Sequence, residues 1–140
     1  MSNFSLDLIT FDNYQEYNIE LIRKDIINGL IMMDQFKVQG KGYGICPVSV
    51  EIHGIKQILV FRNLDLLENY NQNNFFGMTV SEEYIKFEEG KRTIQQFKMD
   101  SIGKIVKLFE SMSYNFICYV IGSNNLISID INVFKYMFNI

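Results

Sequence analysis

The stretch from Phe116 to Val133 constrains the fold more tightly than any other part of the chain. Phe116–Ile121 is apolar without a break, so both faces of that segment need cover, as in a central strand. Gly122-Ser123-Asn124-Asn125 follows, and then Ile127, Ile129, Ile131 and Val133 alternate with Ser128, Asp130 and Asn132. Period-two alternation puts one row of β-branched side chains on a single face. The two segments are expected to pair as a hairpin.

A sheet with an apolar face needs a helical layer, and the chain offers two amphipathic segments. Ile102, Ile105, Val106, Phe109 and Met112 follow the i, i+3, i+4, i+7 spacing behind a cap at Asp100, which predicts a helix over about 101–112. Asp12 can cap a second helix over about 13–28, closed by Gly29. On it Tyr14, Tyr17, Leu21, Ile22 and Ile26 share one broad face, with Glu16, Glu20, Arg23 and Lys24 on the other.

Further strands are expected at Phe4–Leu8, Leu30–Val38 and Phe75–Val80, and at a hairpin of Val48–Ile52 and Ile55–Phe61 turning at His53-Gly54. Leu64–Tyr70 reads as a short helix. Glu82–Phe87 and Thr93–Lys98 fit a hairpin across Glu89-Gly90, with a helix after Ser81 as the competing assignment. No repeat, linker or low-complexity tract divides the 140 residues, so a single globular domain over 1–140 is expected. The fold class is α+β: a predominantly antiparallel sheet with the two main helices packed on one face.

Composition limits the function. The chain is 48% hydrophobic and 21% charged, with a net charge of −3 and an isoelectric point near 5.1. Lys and Arg are scattered among acids, which disfavours nucleic-acid binding. No apolar run is long enough to span a bilayer, and no signal peptide is visible, so a cytoplasmic protein is expected. Cys46 and Cys118 lie far apart in apolar stretches and read as buried thiols in a reducing compartment. The chain has no alanine, a skew that AT-rich coding imposes because alanine codons begin with GC; a gene that is bacterial or on a mobile element is expected.

The motifs that carry chemistry are few. Gln39-Gly40-Lys41-Gly42-Tyr43-Gly44 satisfies the Q-x-x-G-x-G pattern by which the acetyltransferase superfamily grips the pyrophosphate of coenzyme A. That grip needs the glycines to open a helix, whose first amides and dipole hold the anion. Here Ile45-Cys46-Pro47-Val48 follows, a run unfit for a helix, so a loop between strands is the better reading. The pairs Glu82/Glu83 and Glu88/Glu89 place adjacent acids on opposite faces of a strand and make no acid/base couple. His53 is the only histidine and sits in a predicted turn, so no triad or zinc set is available from it. No catalytic residue, metal or cofactor is assigned.

Those exclusions leave a protein that works through its surface. The leading expectation is a bacterial immunity or inhibitor-type protein that neutralises a specific protein partner, such as a toxin nuclease, through acidic residues of the N-terminal third. Asp12, Glu16 and Glu20 are the expected acidic contacts, with Phe75 and Phe76 as aromatic anchors. One alternative is a small-molecule site for a nucleotide- or coenzyme A-like ligand, using Lys41, Gly42, Tyr43, Gly44 and His53. Another is an oligomeric subunit, a homodimer closed by Phe134-Lys135-Tyr136-Met137-Phe138.

Overall fold

The computed structural model describes residues 5–38, 42–70, 74–75, 78–79, 92–122 and 124–140. In chain order, β1 is Ser5–Ile9, a 3-10 turn covers Tyr14–Glu16, and α1 is Ile19–Ile26. Then come β2 Leu30–Val38, β3 Gly42–Pro47, β4 Ser49–Ile52, β5 Ile55–Phe61 and α2 Leu64–Tyr70. The two-residue strands β6 Asn74–Phe75 and β7 Met78–Thr79 pair only with each other among the described residues. The chain closes with β8 Arg92–Gln96, α3 Ile102–Ser111, β9 Phe116–Gly122, β10 Asn125–Asp130 and α4 Ile131–Phe138.

The fold is α+β, and the main sheet has eight strands, mostly antiparallel but mixed. Its path runs β1-β10-β9-β5-β2-β3, with β4 on β5 and β8 on β2. The β1/β10 and β5/β9 pairs are parallel. Strands β2 and β5 meet through Leu30 and Phe61 and then separate, β3 lining the β2 arm and β4 the β5 arm. The chain turns between these arms at Val48, whose N–H donates to Met32 O and whose carbonyl accepts from Leu59 N. Pro47, lacking an N–H, ends β3 at that corner.

Alternation along the strands divides the core into two layers. Ile58, Val60, Ile117, Tyr119, Ile127 and Ile129 face α1, α3 and α4 together with Ile26, Ile105, Phe109 and Phe134. Leu59, Phe61, Cys118, Val120 and Leu126 face the other way, against Leu66 and Leu67 of α2. Both main helices thus share one face, as the sequence implies, and α4 joins them there. The short helix α2 covers the opposite face.

Three local expectations are corrected. Helix α1 is shorter than 13–28 and is not capped by Asp12. Asn18 does the capping, its Oδ1 accepting from Leu21 N at 3.1 Å. Beyond the helix's last residue, Ile26, Asn28 takes the left-handed region (φ 74), and a Cβ on Gly29 would lie 2.8 Å from both Ile26 O and Val60 Cγ1. The alternating run does not stay extended to Val133. Asp130 Oδ1 accepts from Asn132 N at 2.8 Å, and α4 begins at Ile131 with Val133, Phe134, Met137 and Phe138 buried at helical spacing. Helix α3 starts at Ile102 behind Ser101, with no side-chain cap from Asp100. Residues 80–91 lie outside the described residues, so the first arm of the expected hairpin does too; its second arm, β8, pairs with β2.

Candidate protein-interaction surface

Residues 8–14 fold into a tight turn pinned by one side chain. Asn13 Oδ1 accepts from Thr10 N at 2.8 Å, and Asn13 Nδ2 donates to Leu8 O at 2.7 Å, at the end of the outermost strand β1. Asp12 N donates to Thr10 Oγ1 at 3.2 Å. This clamp presents Phe11 to solvent at 50% exposure. From α4, Tyr136 reaches the same place and is 58% exposed. Phe11, Tyr14 and Tyr136 form an edge-to-face trio with centroids 5.7, 6.2 and 5.6 Å apart. Edge-to-face contact is a favoured arrangement of aromatic rings, and here Tyr14 also packs on the core while Phe11 and Tyr136 stay exposed.

Beside the trio an open cleft of about 520 Å³ is lined by Tyr14, Ile19, Glu20, Arg23, Tyr136, Met137 and Asn139. Spacing on α1 explains its walls: Ile19, Ile22 and Ile26 point inward, which turns Glu20 and Arg23 toward α4. Arg23 Nε donates to Met137 O at 3.0 Å in the last turn of α4, where the helix dipole favours a cation. Its guanidinium carbon sits 5.3 Å from the Phe138 ring centroid. Asp12, Glu16 and Glu20 are all exposed, so the structure keeps the three expected acids in one exposed segment and brings Glu20 to the cleft. Lys135, on α4, is paired with Glu110 at 3.3 Å.

The other expected contacts are not gathered there. Phe75 lies in β6, and Phe76 is outside the described residues. Lys41 is also outside them, while Gly42, Tyr43 and Gly44 belong to β3, registered against Val38, Lys37 and Phe36. Those three are strand rather than loop, and no helix follows them. His53 is exposed in the β4–β5 turn at φ 52, followed by Gly54 at φ 80, both in the left-handed region that such a two-residue hairpin turn requires. Cys118 is a free, fully buried thiol whose pKa burial pushes up to about 12. Among the described residues no three His, Cys, Asp or Glu side chains converge on a metal-sized site, and no helix is long and apolar enough to cross a membrane.

Sequence reasoning did not single out Phe11, placed Arg23 only on the polar face of its helix, and named Tyr136 only within the segment Phe134–Phe138 of the homodimer alternative. Phe11 precedes the expected helix, and an aromatic residue there is normally buried. The available signal was Asn13, whose side chain favours a turn that lifts its neighbours out of regular structure. Comparison with family models, with curated proteins and with solved structures finds no match to this chain.

Proposed function

We propose that this chain is an inhibitor of the immunity type, binding a basic protein partner, such as a toxin nuclease, through the face formed by Phe11, Tyr14, Tyr136, Asp12, Glu16 and Glu20. The observation that supports this reading is the pair of exposed rings Phe11 and Tyr136, packed edge to face on the partly buried Tyr14, beside exposed acids. Rigid rings lose little entropy on binding and are enriched at interaction hot spots. The acids supply long-range attraction that speeds encounter with a basic surface and weakens as salt rises. The ligand-loop alternative has less support, because Gly42–Gly44 are registered into a strand.

The test is affinity capture from the host lysate with the tagged chain, followed by kinetics on the purified partner. Association should slow about tenfold or more between low and high salt, and equally on Glu16→Lys plus Glu20→Lys, because steered encounter depends on these charges. Unchanged association in both comparisons would exclude the acidic surface as the contact.

A further inference from the structure

The guanidinium of Arg23 is only partly engaged. Nε donates to Met137 O, and the head group rests against Phe138. A guanidinium has five N–H donors, and those on its terminal nitrogens meet no carboxylate or other hydrogen-bond acceptor among the described residues. Two contacts hold the plane, which leaves the terminal nitrogens as an oriented fork on a side chain that lines the cleft. Such a fork matches a carboxylate with two parallel hydrogen bonds.

We propose that Arg23 seats an Asp or Glu carboxylate of the bound partner beside the rings of Tyr14 and Tyr136. This rests on the partner-binding reading and sharpens it. A wholly acidic face attracts basic proteins indiscriminately. One anchored cation among Asp12, Glu16 and Glu20 selects, within that class, the partner with an acid at the matching position. Glu20 lines the same cleft, and its charge disfavours a phosphate dianion more than a monoanionic carboxylate.

The experiment follows the Arg23 Nε–Hε resonance of the full chain by NMR. The probes are N-acetyl-glutamate α-amide, N-acetyl-lysine amide and inorganic phosphate. A saturable shift with the glutamate probe, weaker with phosphate and absent with the lysine probe, supports the seat. Followed through the backbone amides of the cleft residues Glu20, Met137 and Asn139, affinity for the glutamate probe should fall about tenfold in Arg23→Lys, where the fork is lost, and rise in Glu20→Gln. An unmoved resonance, or tighter binding of phosphate or of the lysine probe, overturns it. The purified partner separates the two claims. If Phe11→Ala plus Tyr136→Ala abolishes binding but Arg23→Lys binds as wild type, the carboxylate seat is wrong and the aromatic face stands. If the probe titrates as expected and no partner engages the face, the seat stands as an anion site and the inhibitor reading falls.

Discussion

The hydroxyl of Tyr119 donates to Asp25, reaching Oδ2 at 2.8 Å and the backbone carbonyl of the same residue at 3.0 Å. Tyr119 lies in central strand β9 and is 1% exposed, so this contact ties the end of α1 to the middle of the sheet. Arg62 completes the group, its Nη2 lying 3.3 Å from Asp25 Oδ1.

Tyr119→Phe is therefore expected to destabilise the fold by about 1–2 kcal/mol, measured by chemical denaturation, since it deletes a buried donor without opening a cavity. Asp25→Ala should cost less. The backbone carbonyl remains as an acceptor, the Arg62 pair is partly exposed and so screened by solvent, and an acid in the last turn of α1 opposes the helix dipole. An Asp25→Ala loss equal to or above that of Tyr119→Phe would show that the carboxylate carries the contact.

Alkaline pH should weaken the fold. Burial raises the Cys118 thiol from its ordinary value near 9 to about 12, so the folded state holds a proton that the unfolded chain releases. Stability is then fully present below pH 9 and declines as pH rises toward 12, by on the order of 1 kcal/mol per pH unit for this group. Tyr119 is also raised, chiefly by burial and further by Asp25, and adds to the decline above its unfolded value. Cys118→Val should flatten the pH 9–12 portion of a stability profile; an unchanged slope would assign it elsewhere.

The C-terminal segment is expected to behave as core. Met137 and Phe138 are buried and Asn139 ends α4 in the left-handed region, so removing residues 136–140 should unfold the protein in a circular-dichroism melt. Tyr136→Ala, by contrast, should leave the melting temperature nearly unchanged. A truncated chain that keeps its fold would return the tail to the role of a detachable interface.

Asp130→Ala should cost about 1 kcal/mol by leaving the α4 amide of Asn132 uncapped, and Asp130→Asn should recover most of it. Equal losses from both substitutions would mean that charge, rather than the cap, matters at this junction.

The sheet was largely legible because its signals were local. Leu30–Val38 and the hairpin through His53-Gly54 follow from alternation and turn chemistry within a few residues. The alternation of Ile127 through Val133 misled because Ile131 and Val133 fit a strand row and a helix face equally well; only the Asp130 cap separates the two. Asp12 was the cap read from the sequence; instead Asn13 holds residues 8–13 in a turn and the helix opens later, behind Asn18. At the surface, Glu16 and Glu20 could be named from charge alone. The meeting of Phe11 with Tyr136 could not, because it joins residues far apart in sequence through the docking of α4.

The most direct measurement is the affinity of the captured partner for the wild type, for Phe11→Ala plus Tyr136→Ala, and for Leu21→Ala, an exposed apolar residue outside the cleft. The double variant should bind about 30-fold or more weakly, while its unfolding midpoint and the affinity of Leu21→Ala stay near wild type. Wild-type affinity in the double variant would contradict the assignment of the aromatic face as the binding surface.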